Sequence, residues 1–353
     1  MKGYLIVELS GRKKDILLSI INLYIESGEP VSSKALSAYM DLGLSPATLR
    51  NEMSELCEMG YLEQPHTSAG RVPTSLGLKV YVNRLINKIE LPYKLRLIID
   101  SGLEEAASKP DRIPSIASQI LADITGLPSL FTTQSNKSAF IKKLEFLPMS
   151  KKALLIVLIT SDGTAKSRII RTNMDLTHAV YERLENIINN DIIGEELAEF
   201  SQAFMQGLVA GTGEFGFPLL PILSAILEMI NEIQESQINI NGESKLFDYF
   251  SNYKEVQSVK QLARLISERE AILSIIESLT KPIDVIFGEE TSIDALKPSS
   301  MVVAKYKAGN KELGRLGVIG PTRMAYKQVI PSIEYLASRL SHLLTQAMKD
   351  MED

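Results

Sequence analysis

The sequence predicts an α+β protein: a small helical N-terminal domain, then a sheet domain with a helical stretch set inside it. Three observations carry that reading. Four amphipathic segments crowd around one Pro/Gly-bearing hairpin in the first 88 residues. A strand-like run begins at Ala153 (ALLIVLIT), and strand signals return at Asp284. Between them, from about Thr177 to Leu279, the periodicity is almost entirely helical, which suggests a sheet interrupted by an insertion.

The first helix is expected from about Lys13 to Ser27, because Leu17, Ile20, Ile21 and Tyr24 recur at helical spacing. Gly28 stops it and Pro30 prevents its resumption. Ser32 or Ser33 caps a second short helix with Leu36, Tyr39 and Met40 inward, and Leu42 and Gly43 turn the chain. Ser45 followed by Pro46 starts a third helix running to about Met59, since serine caps free N–H groups and proline suits the first helical position. Tyr61 to Gln64 and Arg71 to Pro73 flank a polar, glycine-bearing loop, the pattern of a β-hairpin. Thr74 caps a fourth helix with Leu78, Tyr81, Val82 and Leu85 on one face. Helix, helix-turn-helix, hairpin and flanking helix together make a winged helix-turn-helix.

From about Leu91 to Leu127 the signal is helical and linker-like. Ala153 to Thr160 and Lys166 to Arg171 read as strands joined by the Asp162-Gly163 turn, and as the start of the sheet. Helices follow, among them Leu219 to Gln234 and Val259 to Leu279. Strands return at Asp284 to Phe287, Met301 to Tyr306 and Glu312 to Ile319. A terminal helix carries Val329, Ile333, Leu336, Leu340 and Leu343 on one face.

Composition narrows the function. At 353 residues two or three compact units are expected, and 45% hydrophobic with 23% charged residues is a globular balance. No run approaches the roughly 18 to 20 apolar residues of a membrane span, and the start MKGYLIVELSGRKK lacks a secretory cleavage site, so a cytoplasmic protein without membrane contact is expected. One cysteine, Cys57, and three scattered histidines, His66, His178 and His342, offer no metal-ligand cluster. Gly314, Gly317 and Gly320 match neither phosphate-loop spacing and read as close-packing positions in a strand. No nucleophile elbow or paired-carboxylate motif stands out, so neither an enzyme nor a cofactor is expected.

The third helix carries the readable chemistry. Leu49, Met53 and Leu56 line its buried side; opposite lie Ala47, Asn51 and Ser54, flanked by Arg50 and Thr48. Asparagine pairs with adenine and arginine with guanine, while Ala47 and the Thr48 methyl suit a thymine methyl. Ser45 stands at the N-terminal end, the part of such helices that approaches base edges. His66, Thr67 and Arg71 on the hairpin are expected backbone or minor-groove contacts, and Lys34 a phosphate contact. Ten Lys/Arg face ten Asp/Glu up to Glu90 and the net charge is −5, so DNA binding rests on local geometry. On helical pattern alone a protein-docking module remains an alternative.

The runs Tyr24-Ile25-Glu26-Ser27-Gly28-Glu29-Pro30-Val31, Leu44-Ser45-Pro46-Ala47-Thr48-Leu49-Arg50-Asn51-Glu52-Met53 and Gly60-Tyr61-Leu62-Glu63-Gln64-Pro65-His66-Thr67-Ser68-Ala69-Gly70-Arg71-Val72-Pro73-Thr74 closely resemble the HrcA family of heat-inducible transcription repressors. Leu316-Gly317-Val318-Ile319-Gly320-Pro321-Thr322-Arg323-Met324 extends the resemblance far downstream. Ser32 stands where the family commonly has glycine, and Leu76 to Asn83 is less polar than usual there. The resemblance implies a homodimer on an inverted-repeat operator upstream of chaperone operons, with the GroEL chaperonin promoting the active form. It also implies a winged helix followed by a GAF-like α/β sheet domain interrupted by a helical dimerising insertion. The expected divisions are 1–90 (winged helix-turn-helix), 91–127 (linker and helical segment), 128–190 and 281–353 (GAF-like), and 191–280 (insertion). A winged-helix regulator controlled by a small molecule in the GAF-like domain is the alternative function.

Overall fold

The structure, a computed structural model, describes residues 9–40, 43–66, 69–85, 90–107, 112–133, 139–173, 175–211, 216–245, 260, 269–297 and 299–352. In chain order the helices and strands are α1 (Gly11–Ser27), α2 (Ser33–Tyr39), α3 (Pro46–Glu58), β1 (Leu62–Glu63), β2 (Val72–Pro73), α4 (Ser75–Val80), α5 (Tyr93–Ala107), α6 (Ile113–Thr125), β3 (Ser129–Thr133), β4 (Ile141–Ser150), β5 (Ala153–Thr160), β6 (Ala165–Arg171), α7 (His178–Ile187), α8 (Gln202–Gly211), α9 (Gly216–Gln234), β7 (Gln237–Asn241), α10 (Arg269–Glu277), β8 (Ile283–Phe287), β9 (Ser299–Ala308), β10 (Lys311–Pro321) and α11 (Tyr326–Glu352). Contacts divide the chain into Met1–Thr133 with Ile238–Asp353, and Gln134–Gln237.

The first unit begins with the winged helix. Ile16, Leu17, Ile20 and Ile21 of α1 are buried against Leu36 of α2 and Leu49, Met53 and Leu56 of α3, one apolar stripe per helix. Tyr39 does not face inward as expected: it is 45% exposed, because the seven-residue α2 turns only Leu36 fully into the core. Tyr24 and Met40 are half-buried, Gly43 is left-handed at φ +65°, and Leu42 lies outside the described residues. Thr74 caps α4 by accepting the Gly77 N–H at 3.2 Å.

The same unit holds a five-stranded sheet in the order β7-β3-β10-β9-β8. Successive side chains of a strand point to opposite faces, and both faces are covered. Phe131, Val302, Ala304, Leu316 and Val318 pack with α6 and α11, where Val329, Ile333, Leu336 and Leu340 are buried as the periodicity predicts. Leu130, Met301, Val303 and Ile319 pack with Ile272 and Ile276 of α10. Gly314 and Gly317 sit inside β10; a β-carbon on either overlaps a neighbouring strand's carbonyl oxygen, Thr132 or Val302 respectively.

The second unit is a three-stranded antiparallel sheet, β4-β5-β6, with helices on one face. Leu154, Ile156 and Leu158 alternate inward, against α7 and against Leu219, Ile222, Leu223, Ile226 and Ile230 of α9. Lys166 and Arg168 of β6 are tied to α9 through Glu232 and Glu228.

The divisions therefore fall elsewhere than 190/191 and 280/281. The Ala153–Arg171 hairpin forms as expected, but its partner is β4 and not the five-stranded sheet, so the inserted unit begins before it. A strand signature does not name its partner. The insertion also ends sooner, at β7, where Gln237-Ile238-Asn239-Ile240-Asn241 alternates with period two inside a stretch expected to be helical. Of the expected helix Val259 to Leu279, Arg269–Glu277 is helical; residues 259 and 261–268 lie outside the described residues.

Candidate nucleic-acid interface

Helix α3 is started by its own first residues. Ser45 Oγ accepts the Thr48 N–H at 3.1 Å and lies 3.0 Å from Thr48 Oγ1, so two of the expected contact residues are joined in the cap. Ser37 Oγ, donating to the Leu44 carbonyl at 3.2 Å, pins the preceding turn. Burial of Leu49, Met53 and Leu56 turns Ala47, Arg50 and Asn51 out to solvent, with Thr48 and Ser54 half-buried beside them. Lys34 is exposed on α2.

The hairpin lies beside this helix and is wider than two strands. Leu62 pairs with Pro73 and Glu63 with Val72, and Arg71 forms a further bridge to Val31, N–H to carbonyl in both directions at 2.8 and 2.9 Å. The chain passes so close to Val31 at Gly70 that a β-carbon there overlaps the Val31 carbonyl, so the wing requires glycine. Arg71 is half-buried, and its Nε has no hydrogen-bond partner among the described residues. His66 is exposed at the hairpin tip, while Thr67 lies outside the described residues.

Electrostatics adds two residues that the sequence reading passed over. Two of the acidic side chains of α3 are paired: Lys13 Nζ lies 3.1 Å from Glu52 and 2.7 Å from Glu55, and Arg12 lies 3.6 Å from Glu52. Pairing with Glu55 and then Glu52 holds the Lys13 ammonium above its ordinary pKa. The Gly11-Arg12-Lys13-Lys14 run was the available signal, but its partners lie about 40 residues away and periodicity does not pair them.

The domain is anchored through α4 and the turn after it. Ser75 Oγ donates to Glu289 at 2.6 Å, and Lys79 pairs with Glu290. Tyr81 is buried, donates to Asn22 Oδ1 at 3.0 Å, and meets Tyr326 edge-on at 6.4 Å between ring centroids. Burial pushes its phenol up to about 12. Among the described residues no group of three metal-ligating side chains occurs, and no helix is long and apolar enough to cross a membrane.

Residues 8–84 match the family described as "Winged helix-turn-helix transcription repressor, HrcA DNA-binding", and residues 111–330 match "HrcA protein C terminal domain". The chain belongs to the HrcA family. It is thus a member of a family of heat-inducible transcription repressors, not of enzymes. Relatives named "Heat-inducible transcription repressor HrcA" run nearly end to end with it. That of Thermoanaerobacter pseudethanolicus is 31% identical over 97% of this chain and 99% of its own. That of Acetivibrio thermocellus is 32% identical over 94% and 95%. A solved structure titled "Crystal structure of a hypothetical protein at 2.2 A resolution" shares the fold, with a TM-score of 0.59, 24% identity, and coverage of 96% of this chain and 99% of that one.

Proposed function

We propose that this HrcA chain represses heat-shock chaperone operons by binding an inverted-repeat operator as a homodimer. The observation that carries the reading is the outward face of α3, where Ala47, Arg50 and Asn51 stand exposed on a helix whose opposite face is wholly buried. Arg50 and Asn51 read bases, with Ser45, Ala47, Thr48 and Ser54 alongside; Lys34, His66, Thr67 and Arg71 hold phosphate or the minor groove.

In this reading the five-stranded sheet with helices on both faces is the GAF-like domain, and Gln134–Gln237 is the dimerising insertion. The uncovered face of β4-β5-β6 supports it: Leu147, Leu155 and Ile169 are cross-strand neighbours there, with Leu147 46% and Ile169 60% exposed. A two-fold protein matches a two-fold operator. GroEL promotes the active form by raising the fraction of chains that reach it, and apparent operator affinity scales with that fraction. Leu154, Ile156, Leu158 and the buried face of α9 are core once folded and apolar while unfolded.

The test is a gel shift with a duplex from the chaperone promoter of the same genome. Wild type binds in the specific range, and Asn51→Ala loses about 1 to 3 kcal/mol per half-site. Equal affinity of wild type for unrelated DNA removes the reading.

A further inference from the structure

The DNA-reading face of α3 is followed, one helical turn on, by carboxylates. Glu52 is four residues after Thr48 and Glu55 four after Asn51, so each acid stands about 5 to 6 Å along the helix from a reading residue. That is shorter than the screening length of about 8 Å in physiological salt. Two uncompensated negative charges there repel the phosphates flanking the groove.

They are compensated from α1. The Lys13 ammonium lies between both carboxylates at 3.1 and 2.7 Å, with Arg12 adding a longer contact to Glu52. Exposure separates the two cations. The side chains of Lys13 and Glu52 are 17% and 14% exposed, whereas Arg12 is 60% exposed. A cation so covered and doubly paired is not free to reach a phosphate. Nor does α1 carry an acid in its own first turn; Glu52 and Glu55 supply negative charge to its positive end.

We propose that Lys13 is a positioning residue for operator binding, which neutralises Glu52 and Glu55 beside the recognition face and touches no DNA itself. The inference rests on the DNA-binding reading above and fails separately from it. Wild-type binding to the chaperone-promoter duplex, with its loss in Asn51→Ala, decides that reading first.

Lys13→Met keeps the aliphatic stem and removes the charge. In low salt it weakens binding about tenfold, and the deficit shrinks as salt rises because the lost term is screened. Adding Glu52→Gln and Glu55→Gln to Lys13→Met restores binding to within about twofold of wild type, since nothing then needs neutralising. Glu52→Gln with Glu55→Gln alone, which leaves Lys13 in place, binds more tightly than wild type at low salt. That double variant keeps the test open where Lys13→Met does not fold. A triple variant as weak as Lys13→Met overturns the proposal in favour of a direct phosphate contact or a purely structural bridge. Lys13→Met binding like wild type, or a double variant no tighter than wild type, overturns it outright.

Discussion

Ser75, the first residue of α4, donates a hydrogen bond of 2.6 Å to Glu289, 214 positions further along the chain. One turn on, Lys79 pairs with Glu290. Because α4 follows the wing directly, these contacts help set the wing's position on the sheet domain. Exposed pairs contribute little to global stability, typically under about 1 kcal/mol. Glu289→Ala with Glu290→Ala therefore leaves the melting temperature nearly unchanged while amide hydrogen exchange in α4 quickens. Unchanged exchange there contradicts an anchoring role.

Arg50 and Arg71 separate by their sequence dependence. Arg50→Ala lowers affinity for the chaperone-promoter duplex by about 1 to 3 kcal/mol per half-site and relaxes preference at one base. Arg71→Ala weakens all duplexes alike and lowers the slope of log affinity against log salt by about 1. Binding isotherms at two salt concentrations on specific and scrambled duplexes distinguish them. An Arg71 variant that loses only specific binding belongs with the base readers.

Ile169→Glu should turn the proposed homodimer into a monomer with an intact fold, because Ile169 lies on the uncovered side of β5 and β6 beside Leu155. Light scattering across a dilution series is the measurement. A dimer as tight as wild type moves the contact elsewhere, for example to the exposed Tyr93, Leu97 and Ile98 of α5.

Two glycines should answer alanine oppositely. Gly317→Ala forces a β-carbon against the Val302 carbonyl, with Val303 Cα at 2.9 Å, and costs about 2 to 3 kcal/mol or more. Gly207, inside α8, meets nothing within 4 Å, so its alanine stabilises the helix by roughly 0.5 to 1 kcal/mol. Urea midpoints decide both signs.

Acid should weaken the inserted unit through Glu232. Its carboxyl is held below the ordinary range by the Lys166 ammonium at 2.6 Å and by Arg168. A depressed folded pKa stabilises fully above the unfolded value of about 4.3 and is lost as pH falls through the lower folded value. The stability difference between wild type and Glu232→Gln therefore closes as pH drops below about 4. A difference that stays constant through that window rules this linkage out.

Local signals were the legible part of this fold. Ser45-Pro46 announces the start of α3, and Leu49, Met53 and Leu56 announce which side is buried, because capping and periodicity act within a turn or two. Pairing was less legible. The strand ALLIVLIT is plain, yet its partner β4 is masked by Lys142, Lys143 and Glu145, whose charges break the alternation. β7 is short, with amides at Gln237, Asn239 and Asn241, too weak to interrupt the helical reading around it. The Lys13–Glu52–Glu55 cluster joins residues that only the folded core brings within reach.

The inserted unit leaves the host at the end of β3 and returns at the start of β7, and these two strands are neighbours in the sheet. A β-carbon on Gly242, just past β7, stands 3.5 Å from the Leu127 carbonyl just before β3, so the two strands run in opposite directions. To the host sheet, then, the insertion is the loop of a hairpin. Closing even a long loop adds only about 0.6 kcal/mol of entropy per doubling in length. If the inserted unit carries the proposed dimer contact, assembly is set by a hairpin loop that lies outside every strand of the host sheet but the two it joins.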